Sequence, residues 1–433
     1  MRKHLLTVLP AALLLAVMLL TAAAVSAETS GDYEYILEDG RATVTGYTGT
    51  DSVLTVPSSL GGCPVTAVGE SAFAGCYDLV SVTLSEGITD IGDSAFFNCT
   101  ALTSVTLPES LVRVNADAFC GCTALEAITL PKNVAALTGN PFSGCASLTA
   151  ITVASGNSAL EVRNGLLYNR AGNELACWPQ GLAAGVCTVP DGTAAIGTGA
   201  FFLCEDVTAV VLPDSVTAVG DDAFRYCLGM TSVRLPAGIT ALGRSAFEGC
   251  GNLTEITLPQ GITAIEPWLL RDCDSLTAVT VPEGVRSIGM DAFEGCDSLA
   301  RVILPRGLTE VGIFAFYGCD SLTDVYFRGS REQWNAVNVD DLNDPLTEAA
   351  LHLPAPRAAD ADLPEDLAVI ESQAFRDLAA GTLVRLPASL AEIADDAFPS
   401  AEGENSVAFI APPGSYAEAW GLAHGYTVWF DAP

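Results

Sequence analysis

MTSVRLPAGITALGRSAFEGCGN, residues 230–252, decides the fold, because most of the remaining chain copies it. Its closing Ala-Phe-x-Gly-Cys recurs with cysteines at 76, 99, 122 and 145, then at 204, 227, 250, 273, 296 and 319, each run stepping by 23 residues. A fixed step of this size marks a solenoid in which every copy is one turn. Aligned on the aromatic position, the turns fall at Phe73, Phe96, Phe119 and Phe142, then at Phe201, Phe224, Phe247, Leu270, Phe293 and Phe316, and finally at Phe375 and Phe398, twelve in all.

Each turn has one internal grammar. In the copy that begins at Leu253, the alternation of Ile256 and Leu258 with Glu255 and Thr257 predicts a short strand with one buried face, and Pro259 ends it. Ile262 and Ile265 predict a second, shorter extended run, after which Ser-Ala-Phe-x-Gly-Cys predicts a compact helical or 3-10 bend back to the next strand. The residue before the bend is glycine in seven turns, Gly220, Gly243 and Gly289 among them, but Thr138, Glu266, Glu371 and Ala394 hold the same place elsewhere. Such residues tolerate a left-handed backbone poorly, so close packing is the reason to expect glycine there. One turn cannot stand alone. It buries about six or seven side chains worth roughly 1.5–3 kcal/mol each, against roughly 1–2 kcal/mol of backbone entropy for every residue it orders. Only stacked neighbours close that gap.

The chain opens MRKH, followed by an apolar run from Leu5 to Leu20 and small residues ending Val25-Ser26-Ala27, the three-part pattern of a secretory leader cleaved after Ala27. Residues 28–62 alternate around Tyr33, Tyr35, Val44 and Tyr47 and predict a β cap over the first turn. Turns follow over 63–153. Residues 154–187 predict a β-hairpin projecting from the stack, with apolar runs at Leu166-Leu167-Tyr168 and Leu175-Ala176-Cys177-Trp178. Turns resume over 188–326, an accessory insertion spans 327–360 with a short capped helix at Ser330–Trp334, turns return over 361–398, and 399–433 closes the chain with a helix from Ser415 and a last strand.

The unit L-x-x-V-x-L-P-x-x-I-x-x-I-G-x-x-A-F-x-G-C resembles the BspA-type leucine-rich repeat of bacterial surface and secreted proteins. The segments GLLYN at 165–169, ACWP at 176–179, GSREQW at 329–334 and GSYAEAWGLAHGY at 414–426 are similar to accessory segments of that family. The resemblance implies a right-handed leucine-rich-repeat solenoid of short parallel strands, and with it surface display and adhesion to host matrix proteins or other cells.

Charge narrows the partners. The chain carries −33, and loss of Arg2 and Lys3 with the leader makes it −35, so nucleic acid and anionic lipid are poor partners. No second apolar run reaches the roughly 20 residues of a membrane span. Ten of the 14 cysteines occupy one repeat position. Parallel side chains suit disulfide dihedrals badly, so a reduced, buried ladder is expected, with Cys177 and Cys187 the one pair to consider for a bridge.

Little points to catalysis. His352 and His424 are the histidines that remain after the leader, both in accessory or capping segments, and there is neither C-x-x-C nor H-E-x-x-H. No cofactor, metal or enzymatic activity is expected. Asp340, Asp341, Asn343 and Asp344 are dense enough in oxygen to consider calcium, without EF-hand spacing. What remains is a surface. The outward strand positions of the first block are small, such as Ser81, Thr83, Ser104 and Thr106, whereas later turns carry Arg234, Glu255, Thr257, Arg301, Ile303, Asp324, Tyr326 and Arg385. These eight, expected on the concave face of a monomer, are the candidate contacts for an extracellular protein or glycan. The alternative is a structural spacer of about 60 Å, one rung every 4.8 Å, with no specific ligand.

Overall fold

The computed structural model describes residues 27–354, 361–379, 381–401 and 406–430. Apart from Ala27, the expected leader lies outside them. The repeat becomes a solenoid with three rung-to-rung ladders. The front ribbon contains the L-x-x-L-x-L strands and pairs them in parallel at the repeat spacing, Ser81 with Ser104, Ala127 with Ala150, and Ala278 with Arg301. The back ribbon pairs the shorter runs in the same sense, Ala195 with Ala218 and Ala218 with Ala241. The bends form the third ladder, in which the Phe73 N–H donates to the Ala95 carbonyl at 2.8 Å and Phe96 repeats this to Ala118.

The bend is a run of turns and not a helix. Two residues in it have positive φ. One lies two places before the aromatic, as in Ser94 (54°), Ser245 (51°) and Asp291 (54°). The other precedes the cysteine, glycine in Gly249 (72°) and Gly295 (70°) but Asn98 (56°) and Tyr226 (53°) elsewhere. Left-handed residues reverse the chain within a few positions, which a continuing helix could not do. The glycine before the bend has no such angle. A Cβ on Gly243 would meet the Asp221 nitrogen at 2.3 Å, and one on Gly289 the Pro267 nitrogen at 2.6 Å. Close approach of successive turns is therefore what selects glycine there.

Behind the bends the aromatic rings stack, Phe73 on Phe96 with centroids 5.0 Å apart and 3° between planes, and Phe224 on Phe247 at 5.3 Å. The cysteines beside them are free thiols. Cys99, Cys122, Cys250 and Cys319 each donate Sγ–H to an aromatic-position carbonyl of the preceding turn, at 3.1–3.2 Å. Cysteine suits this site because it is small and apolar, yet carries the weak donor that a buried carbonyl needs. Cys177 and Cys187 are also free and buried.

The first spacer corrects the expected projecting hairpin. Leu160–Arg163 and Leu166–Asn169 do pair antiparallel, but Glu174–Cys177 then joins the back ribbon beside Ala195-Ile196, and Leu167, Tyr168 and Leu175 are fully buried. Trp178 takes the aromatic position of this turn, stacked on Phe201 at 5.0 Å, with its N–H donated to the Ala200 carbonyl in the same way as Phe73 to Ala95. The hairpin is folded into the stack because its apolar runs are buried on both sides, leaving no polar face to project.

The second spacer closes the solenoid. A capping box at Ser330 and Gln333 starts helix α1 (Arg331–Trp334), and helix α2 (Asp344–Glu348) places Leu346 in the core. Asn343, 2% exposed, accepts the Phe316 N–H at 2.9 Å and donates to the carbonyls of Gly312 and Asp340, completing the last bend. Residues 361–379, 381–401 and 406–430 then form a unit with its own parallel sheet and its own apolar core around Val384, Phe398, Phe409 and Trp420, including helix α3 (Tyr416–Ala423). Among the described residues, its one β contact with the main stack is an isolated bridge between Pro354 and Phe430. The expected continuation of the turns over 361–398 is thus a second, separate stack.

Candidate functional site

Alternation places the eight candidate side chains on the outward face of front-ribbon positions, but the structure distributes them unequally. Arg234 is exposed and pairs with Asp214 at 3.2 Å. Glu255 and Thr257 are exposed on a turn whose Ile256 and Leu258 are buried, yet this copy lacks the expected strand: the front ribbon breaks between Ser232–Arg234 and Ala278–Thr280. The bend ladder still ties this turn to both neighbours, the Phe247 N–H donating to the Leu269 carbonyl at 3.0 Å and the Leu270 N–H to the Ala292 carbonyl at 2.9 Å.

Arg301, Ile303 and Tyr326 lie beneath the C-terminal unit. Ile303, Tyr326 and Phe430 form a small buried cluster, with the Tyr326 and Phe430 rings edge to face at 5.4 Å. The Tyr326 hydroxyl donates to the Glu418 carboxylate of α3, and burial, reinforced by this carboxylate, raises the phenol above its ordinary range. His352, opposite Tyr326 in register, stacks on its ring at 4.3 Å and meets Asp324 at 2.7 Å. Arg301 lies so close to Gly414 that a Cβ there would come within 2.3 Å of its Nη1. Tyr326 and Ile303, expected as free contacts, are therefore covered by the chain itself, because an outward aromatic beside an outward isoleucine is an apolar patch that the unit buries. Arg385 belongs to the C-terminal unit, where it pairs with Asp362 at 2.9 Å.

Four candidates do converge. Glu255, Thr257, Arg301 and Ile303 line a groove of about 340 Å³ with Gln260, Thr280 and Pro413, the last supplied by the C-terminal unit. It combines a carboxylate, an amide, two hydroxyls and a guanidinium over an apolar floor, groups able to hydrogen-bond and pack a polar ligand. Sequence reasoning found the floor and missed the wall, since nothing in the repeat signals that residue 413 returns to residue 301. A larger cleft of about 560 Å³ lies between Tyr317 and α2 and contains none of the eight.

The other sites considered are not assembled. Asn343 commits its amide to the backbone of Phe316, Gly312 and Asp340, while Asp340, Asp341 and Asp344 are exposed. Among the described residues, no group of three or more His, Cys, Asp or Glu side chains could hold a metal ion. His424 meets Asp395 at 3.1 Å and the Trp420 carbonyl at 2.7 Å. No described helix is long and apolar enough to cross a membrane.

The BspA type leucine rich repeat region, in six copies, matches residues 57–169, 186–284, 268–336 and 357–410. Among solved structures, a leucine rich cell surface protein of Faecalibacterium prausnitzii A2-165 is 26% identical over 74% of this chain and 100% of its own, with a TM-score of 0.47. A leucine-rich repeat protein of Eubacterium ventriosum is 21% identical over 68% of this chain and 88% of its own, at a TM-score of 0.53, a likeness of fold. No curated protein matches. With most of its length matched and the repeat laid out turn by turn, the chain belongs to the BspA-type leucine-rich repeat family.

Proposed function

We propose that this chain is an exported, non-enzymatic binding protein that takes an extracellular protein or glycan in the groove between the front ribbon and Pro413. The observation that carries the reading is the convergence of Glu255, Thr257, Arg301 and Ile303 on one concavity. The leader pattern of the first 27 residues supports export, and the strong acid excess argues against polyanionic partners. The spacer alternative draws on a different observation. Along the first block the outward residues are small hydroxyls and alanines, and Thr129 and Thr152 satisfy one another at 2.7 Å.

Binding of the whole chain to an array of matrix proteins and glycans, repeated with Thr257→Arg and Thr280→Arg, separates the two. Loss of a bound ligand in these variants, with retention in Thr83→Arg, supports the groove. Ligands held equally by all variants refute it, and no ligand for any form favours the spacer.

A further inference from the structure

We propose that the C-terminal unit is a detachable strap, docked on the outward face of Arg301, Ile303 and Tyr326, and that its release bares this patch while both stacks stay folded. The proposal stands whether or not the groove takes a ligand.

The solenoid does not need the unit as an end cap. Asn343 already satisfies the last bend, and Leu346, 1% exposed, already fills the last core layer. Nor does the unit need the solenoid for its own folding. Its strands pair with one another, its core is a separate cluster of 13 buried residues, and the Ser415 hydroxyl accepts the Glu418 N–H to cap α3. Two independently closed bodies are joined where hydrophobic contact is smallest. Among the described residues the shared apolar cluster has three members, Ile303, Tyr326 and Phe430, and Phe430 belongs to neither large core.

The polar part of the contact is equally local. Among the described residues it includes the Tyr326 hydroxyl on Glu418, the guanidinium of Arg301 against Gly414, and the Pro354–Phe430 bridge. Glu418 also accepts the Gly414 N–H, so the carboxylate braces the same loop that touches Arg301. Such an interface opens at a lower cost than either core, because cooperative units with few buried contacts detach first. Release uncovers an aromatic ring, an isoleucine and an arginine together, residue types typical of contact surfaces.

The test uses the full chain in urea, with small-angle X-ray scattering to read overall dimensions and far-UV circular dichroism to read strand content. The expected result is an early rise in maximum dimension, with dye binding to the bared patch, at urea concentrations that leave the circular dichroism unchanged. Phe430→Ala removes docking contact without touching either large core, and is expected to give the extended scattering profile in buffer alone. Ile303→Ala tests the contact from the solenoid side and lowers the urea concentration of the early step. Coincident transitions by both methods, or variants whose scattering superimposes on the parent, overturn the proposal.

Discussion

Gly243→Ala is the sharpest test of how the turns are held together. The new methyl would sit 2.3 Å from the Asp221 nitrogen and 2.4 Å from the Gly220 carbonyl carbon, both backbone atoms of the preceding turn. Ordinary carbon contacts lie at about 3.5–4.0 Å, so the turns would have to part by more than 1 Å. The amide of Gly243 donates to the Val219 carbonyl at 2.8 Å and cannot keep that bond through such a shift. Overpacking costs about 1–3 kcal/mol and the lost hydrogen bond about 0.5–1.5, so destabilisation of about 2–4 kcal/mol is expected. Gly238→Ala, five residues earlier in the same turn, is the control, since its methyl would meet only the Asp214 carbonyl oxygen, at 3.9 Å. That variant should be neutral or more stable by up to about 1 kcal/mol. Urea unfolding followed by circular dichroism, with hydrogen exchange over the flanking turns, measures both. Unfolding of the two variants within about 0.5 kcal/mol of each other, the usual scatter of surface changes, would refute the packing argument.

Two further outcomes follow from half-buried titrating groups. Asp117 has a left-handed backbone (φ 54°), and burial raises its carboxyl above the ordinary range. A carboxyl raised by folding favours the folded state below its unfolded pKa, and that advantage is lost as pH rises through the folded one, leaving a penalty at neutrality. Asp117→Asn, which tolerates the same backbone, should therefore raise the melting temperature at pH 7 and give no comparable gain at pH 3. Thiol labelling of the native chain should reach Cys63 and Cys76 and spare the twelve buried cysteines until unfolding. Cys76 should react slowly below pH 9, because burial pushes its thiol up to about 11, and mass spectrometry of labelled peptides reads both effects.

The repeat was legible because it is written many times in a period that few other folds use. The strand residues, the buried aromatics and the unbridged cysteines follow from position alone. What escaped was whatever occurs once. Trp178 lies 23 residues before Phe201 and fills its place in the ladder, yet the missing cysteine at residue 181 disguised the turn. The left-handed residue two places before the aromatic position, present in ten of the twelve turns, is Ser, Asp, Gly, Trp, Phe or Gln, so no single residue type announces it. The return of Phe430 to Tyr326 spans about a quarter of the chain with no local signal, and it split the candidate site into covered and open parts. Burial of one outward aromatic depends on tertiary docking, which periodicity cannot encode.

The three ladders give the solenoid a mechanical character. The backbone hydrogen bonds of these ladders join each turn to the next, along the stacking direction, so a pull along that direction loads one rung at a time and peels it, in place of shearing many strands together. Each peeled 23-residue turn would release about 75 Å of contour. Because the turns are near copies, successive releases should need similar force. A chain of this kind strung between two surfaces would behave as an extensible fuse, yielding in uniform steps and limiting the tension passed to whatever it holds.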